Sequence, residues 1–185
     1  MRTTEEWGWD ALTTLSIPAP RLLEYLERLL YGDADERRSA GGLLYCEVAN
    51  QGQLYSAAAP CVDVIAEHVR SGATPSPEAV DLLESILNAR SAGLRASAAG
   101  GTVEVEAYCR RRILEILPDL LSEADGRDAE YFREVCFLVP QLADSSEEVV
   151  EFLRSSVASL QGELRRMAVE ALEEAEEVVS EGHMP

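Results

Sequence analysis

Apolar residues along this chain recur every third or fourth position, segment after segment, from Leu22 to Val179. That spacing gathers them on one face of an α-helix. Leu22, Leu23, Leu26, Leu29 and Leu30 predict a helix ending near Gly32. Asp33 or Asp35 can cap the next one, which runs through Leu43, Leu44 and Val48 to Asn50. Leu54, Ala57, Ala58, Cys61, Val64, Ile65 and Val69 predict a helix over 54–70. Ser76, Pro77 and Glu78 supply the N-cap, first-turn proline and N-terminal acid of another, carried on by Val80, Leu83, Ile86 and Leu87. The spacing then predicts one long helix over 103–123 and a further helix over 129–143. Ser145 stands in capping-box relation to Glu148, ahead of Val149, Val150, Leu153, Val157 and Leu160. Leu164, Met167, Ala168, Ala171, Leu172, Ala175 and Val178 mark a last helix over 163–179.

Between these stripes the connections are short, with Gly52, Gly72, Asp125-Gly126 and Gln161-Gly162 as turn signals. Residues 4–15 read as a short helix carrying Trp7 and Trp9, broken by Ile17-Pro18-Ala19-Pro20. Residues 91–101, rich in Ala, Gly and Ser, read as the longest loop. Val103-Glu104-Val105-Glu106 alternates like a strand but opens a helical stripe, so no strand is predicted. Pro60, Pro118 and Pro140 fall inside predicted helices, where proline bends the axis. The expected fold is all-α: about eight helices packed antiparallel into a solenoid. Residues 1–180 are expected to form one domain and 181–185 a flexible tail.

Charge narrows the partners. The chain of 185 residues holds 34 acidic residues against 16 basic ones, net −18. Residues 101–185 alone carry 20 acids and 8 arginines. Such a field repels phosphate backbones and anionic membranes and attracts a basic partner. We therefore expect a protein partner, and neither nucleic acid nor membrane. No apolar run approaches the roughly 18 residues that cross a bilayer. The N-terminal residues lack a signal-peptide pattern, which points to the cytoplasm. Cys46, Cys61, Cys109 and Cys136 are scattered and fit buried free thiols.

Catalytic chemistry has little to work with. Every basic residue apart from His68 and His183 is arginine, which removes Schiff-base, Walker-lysine and lysine-base chemistry. His68 lies beside an apolar stripe and His183 in the tail, and no zinc-ligand spacing occurs. Gly41-Gly42 and Gly100-Gly101 lack a phosphate-loop frame. Glu173-Glu174 and Glu176-Glu177 read as a solvated face. We expect no enzyme, no cofactor and no metal.

Ala57–Val62, Glu115–Leu120 and Leu138–Leu142 each set a proline in an apolar helix, a form that resembles HEAT-like repeats. Arg166-Met167-Ala168-Val169-Glu170-Ala171-Leu172 resembles the arginine-and-alanine signature of one repeat. Asn50-Gln51-Gly52-Gln53-Leu54-Tyr55 is similar to a stretch of a bacterial HEAT-repeat group, with Asn50 at that group's histidine position. The resemblance implies a small binding protein, such as an immunity protein that neutralises a toxin; the alternative is a scaffold or regulatory subunit. A HEAT-like DNA glycosylase is a third reading, against which the acidity argues.

In such stacks the second helix of each pair lines the concave side. The resemblance therefore points to 54–70, 103–123 and 146–160. The polar positions opposite their apolar stripes are Asp63 and Glu67, then Glu104, Tyr108, Arg111 and Glu115, then Glu148, Glu151 and Arg154, with Phe152 at the edge. These are the expected partner-binding residues, with Tyr108 and Phe152 as aromatic anchors.

Overall fold

The computed structural model describes residues 7–98, 100–124 and 129–182. The described residues are mostly helical, at 73%. Its α-helices are α1 (Leu22–Tyr31), α2 (Ala34–Val48), α3 (Ala58–Arg70), α4 (Pro77–Asn88), α5 (Val105–Leu114), α6 (Leu117–Ala124), α7 (Ala129–Leu138), α8 (Glu147–Ser159) and α9 (Gly162–Gly182). One two-stranded sheet, β1 (Arg95–Ala98) and β2 (Gly101–Glu104), stands between α4 and α5. The fold divides after Ile116 into two compact units.

In the first unit the leucine stripe of α1 buries Leu22, Leu26 and Leu29 completely. Each such side chain contributes about 1.5–3 kcal/mol by leaving water. Asp33 caps α2 by accepting from the backbone N–H groups of Asp35 and Glu36, while the Glu36 carboxylate accepts from the Asp33 N–H. This capping box resolves the choice between Asp33 and Asp35. Gly32, just before it, admits no side chain: a Cβ there would lie 2.5 Å from the Arg28 carbonyl. Ser76 caps α4 through Ala79 N–H, with Pro77 at the first helical position.

Two predictions fail between α4 and α6. Residues 95–104 form an antiparallel hairpin, with Arg95 opposite Glu104 and Ala98 opposite Gly101, where a loop and a helix start were expected. Alanine and serine carry little strand propensity. Ala96 is nonetheless buried, paired across the hairpin with Val103. The single long helix expected over 103–123 is two, because Pro118 lacks an N–H to continue α5 and stands instead in the first turn of α6. Pro60 likewise sits in the first turn of α3, and Pro140 in a 3-10 turn, Val139–Leu142, that follows α7. None of the three bends a helix interior. The helix expected from Leu54 begins at Ala58.

From Trp7 onward the N-terminal segment is a strap rather than the expected helix, whose residues 4–6 lie outside the described residues. Trp7 bridges Ala98 as an isolated strand pair, and only Trp9–Ala11 makes a 3-10 turn. Thr13 N donates to Ser56 Oγ at 2.7 Å and Ser56 N donates to Thr13 Oγ1 at 3.2 Å. Further along, Ser16 N donates to Glu47 Oε2 at 2.7 Å, Ser16 Oγ to Oε1 at 2.5 Å, and Ile17 N to Oε2 at 3.2 Å. Glu47 is only 5% exposed. Burial pushes its carboxyl up, but these bonds more than offset that and hold its pKa below the ordinary 4.5.

In the second unit α9 packs on α8, on α7 and on the 3-10 turn. Ala168, Ala171 and Ala175 form its buried face, small residues that let the neighbouring helices approach closely. Phe132 and Val135 of α7, Leu142 of the 3-10 turn, and Val149 and Leu153 of α8 are buried as well. α8 and α9 form a helical hairpin: Arg165 Nε reaches the Val157 carbonyl near the turn, and Arg154 meets Glu176 farther from it. The expected capping box at Ser145 is absent; Ser146 is the N-cap and makes no side-chain capping bond. The Asp125-Gly126 turn lies outside the described residues. α9 runs through Glu181 and Gly182, and the rest of the expected tail, His183 included, also lies outside them.

Candidate functional site

Asp63 faces α5 from α3, and it is 2% exposed. Tyr108 and Arg112 stand one turn apart on α5, so both reach the same carboxylate. The Tyr108 hydroxyl donates to Oδ2 at 2.6 Å and Arg112 Nε to Oδ1 at 2.5 Å. Trp7 Nε1, from the strap, donates to Oδ2 at 2.9 Å, and its ring meets Tyr108 edge-on at 5.4 Å. Arg112 also pairs with Glu115, which in turn pairs with Arg70 at the end of α3. Desolvation opposes charge on Arg112, yet Asp63 and Glu115 raise its pKa overall. Burial would raise Glu115, but its hydrogen bonds from Arg70 and Arg112 lower it. Burial first, then the Asp63 carboxylate, drive the Tyr108 phenol well above its usual range.

This cluster corrects several of the expected partner-binding residues. Asp63 is an interior carboxylate, because three donors from two segments, the strap and α5, engage both of its oxygens. Tyr108 is half-buried and committed to Asp63 and Trp7. Glu115 is an ion-pair bridge. Arg111 lies over the Tyr108 ring at 5.1 Å, with Glu115 at 3.9 Å. Glu104 is the N-cap of α5 and accepts from Ala107 N–H at 2.6 Å. Chemically the cluster is a tie: it has no open nucleophile and no free base.

Glu67, one turn beyond Asp63, lines a different feature. A groove of about 400 Å³ runs between α1 and α3 beside Glu27, Leu30, Tyr31, Val64 and Glu67, with His68 at its wall. Tyr31 is 68% exposed although it is an aromatic residue. Its ring meets the buried His68 imidazole edge-on at 5.2 Å, and its hydroxyl lies 3.4 Å from Nδ1. Burial lowers the His68 pKa, offset in part by a backbone hydrogen bond to Thr74.

The remaining expected residues fall in the second unit. Glu148 and Glu151 are exposed on α8 and form no ion pair among the described residues. Arg154 is paired with Glu176 at 2.7 Å. Phe152 packs against Phe132, ring centres 6.3 Å apart, so it is part of the α7–α8 contact rather than an open anchor. Glu147, Val150, Glu151 and Arg154 line a groove of about 750 Å³ that also touches Val179 of α9.

No family model, curated protein or solved structure matches the chain. Among the described residues no group of His, Cys, Asp and Glu is placed to hold a metal ion, and no helix is long and apolar enough to cross a membrane. Cys61, Cys109 and Cys136 are buried, whereas Cys46, also expected in the core, is exposed. Sequence reasoning missed Trp7, Arg112, Glu47 and Tyr31. One signal existed for Trp7, since a tryptophan in a core needs a partner for its N–H.

Proposed function

We propose that this chain is a protein-binding helical module for a basic protein partner, most specifically an immunity protein that neutralises a toxin by direct binding. A HEAT-like pairing of helices is part of the same reading, supported by the α8–α9 hairpin and by α2 folding back on α1 across a two-residue connection.

The observation that carries the proposal is the unneutralised acid on α8 and α9. Leu117–Pro185 holds 17 acidic residues and 5 arginines, net −12. Its described arginines are already engaged: Arg133 with Glu130 and Glu134, Arg154 with Glu176, Arg166 with Glu163 and Glu170, and Arg165 with a backbone carbonyl. Glu147, Glu148, Glu151, Glu173 and Glu177 remain exposed without an ion pair among the described residues. Acid left uncompensated on a helix face costs self-repulsion and speeds encounter with a basic surface.

The test starts with the chain as bait and ends with kinetics. Glu148→Arg with Glu151→Arg touches no cap and no ion pair, unlike reversals at Glu104 or Glu115. Association of the captured partner should slow, and its salt dependence should flatten, in the doubly reversed protein. An unchanged on-rate would remove the acidic face from the interface. Growth of cells expressing the partner should be restored by co-expression of this chain; a partner that is harmless alone would make the chain a scaffold instead.

A further inference from the structure

Two places in this fold already hold a guanidinium between an aromatic ring and a carboxylate. Arg111 lies 5.1 Å from the Tyr108 ring centre and 3.9 Å from Glu115. Arg28 lies 5.8 Å from the Tyr25 ring centre and 2.5 Å from Glu24. The α1–α3 groove offers the same two components in Glu27 and Tyr31. Glu27 and Tyr31 are one turn apart on α1. Val64, Glu67, His68 and Ser71 recur at helical spacing along the facing side of α3 and its C-cap. Glu27 makes no ion pair among the described residues, and no arginine there stacks on Tyr31.

We propose that this groove seats an arginine side chain of the basic partner, which rests on the protein-binding reading and gives it a specific contact. The guanidinium lies against the Tyr31 ring and beside the Glu27 carboxylate. Its aliphatic stem covers Leu30 and Val64. Charge complementarity with Glu27 selects a cation, and an exposed ring beside a carboxylate suits a planar guanidinium better than a compact ammonium. The volume of about 400 Å³ is ample for one such side chain. Tyr31 is held in place from behind by its edge contact with His68, so the ring is oriented before a ligand arrives.

The experiment is a titration of the full chain with N-acetyl-arginine amide, read by NMR at the Tyr31 ring and the His68 imidazole. Saturable shifts at both are expected. N-acetyl-citrulline amide, of the same shape without the charge, should give none, and the lysine analogue should bind more weakly. Tyr31→Ala and Glu27→Gln should each weaken binding about two- to fivefold. Tyr31→Phe keeps the ring and should bind within about twofold of the parent. Equal shifts from citrulline or from lysine would overturn the assignment, as would undiminished binding by Tyr31→Ala. Saturable shifts confined to α8 and α9 would overturn the groove while leaving the proposed class of partner standing. No saturable shift anywhere would overturn the groove, while the protein-binding reading falls only with an unchanged on-rate in the Glu148 and Glu151 reversals.

Discussion

Arg112 places its Nε 2.5 Å from Oδ1 of Asp63, forty-nine positions earlier in the chain, with the Arg112 side chain 15% exposed and Asp63 3%. The pair joins α3 to α5, and its worth lies in what happens when one member leaves. Asp63 would keep its bonds from Trp7 and Tyr108 but lose its counter-charge in the interior. Arg112→Ala should therefore destabilise the first unit by about 3 kcal/mol. Urea unfolding measures this; a loss under about 1 kcal/mol would mean that water reaches Asp63 freely.

Glu47 gives a pH signature. Its folded pKa lies below the ordinary 4.5, so its carboxylate stabilises the fold above that value, and the contribution is lost as pH falls through the folded pKa. Glu115 has the same sign. His68, whose pKa burial lowers from 6.5, adds a loss that begins as pH drops below that value. Glu47→Gln removes only the first of these. The stability gap between wild type and variant should be widest near neutral pH and narrow below about 4.5. A gap constant from pH 7 to pH 3 would contradict the hydrogen bonds to Ser16 and Ile17.

Adjacent glycines in α2 should respond oppositely to alanine. Nothing lies within 4 Å of a Cβ built on Gly42, whereas one on Gly41 would meet Glu78 Cβ at 3.3 Å, where α2 crosses α4. Gly42→Ala should gain about 0.5–1 kcal/mol from helix propensity. Gly41→Ala should gain less or lose stability, since α4 must yield. The two denaturation midpoints decide it, and equal gains would show that the α2–α4 contact is loose.

Thiol chemistry should separate the cysteines. In the native protein a small aromatic disulfide should titrate Cys46 alone. Cys61, Cys109 and Cys136 are buried, and burial pushes the Cys136 thiol up to about 12. They should react only after unfolding. Rapid native labelling of Cys61 or Cys109 would mean that the α3–α5 interior opens readily, and of Cys136 that α7 does.

Helix positions were legible where local chemistry decides them. The leucines of α1, the Asp33 cap and the Ser76-Pro77 start of α4 each act within a few residues. The hairpin was illegible because Arg95-Ala96-Ser97-Ala98 has no strand signal of its own and depends on Val103 and on Trp7. The candidate site was only partly legible for a related reason. Helical spacing put Asp63, Tyr108 and Glu115 opposite the apolar stripes, and the structure does gather them. Spacing cannot say whether a polar face meets solvent or another helix, and here α5 covers α3. Glu148 and Glu151 lie on a face that no described arginine neutralises, so the same rule placed them correctly as exposed.

The strap also sets an order of events. Trp7 through Ile17 leave the ribosome before the groups that receive them, which sit on α2, α3, α5 and the hairpin. The strap is thus made before its docking sites and finds its place in the first unit after them. Trp7 and Trp9 are the chain's two tryptophans, and both are buried only once the strap has docked. Indole fluorescence therefore times the closing step of assembly rather than the collapse of the helices beneath it.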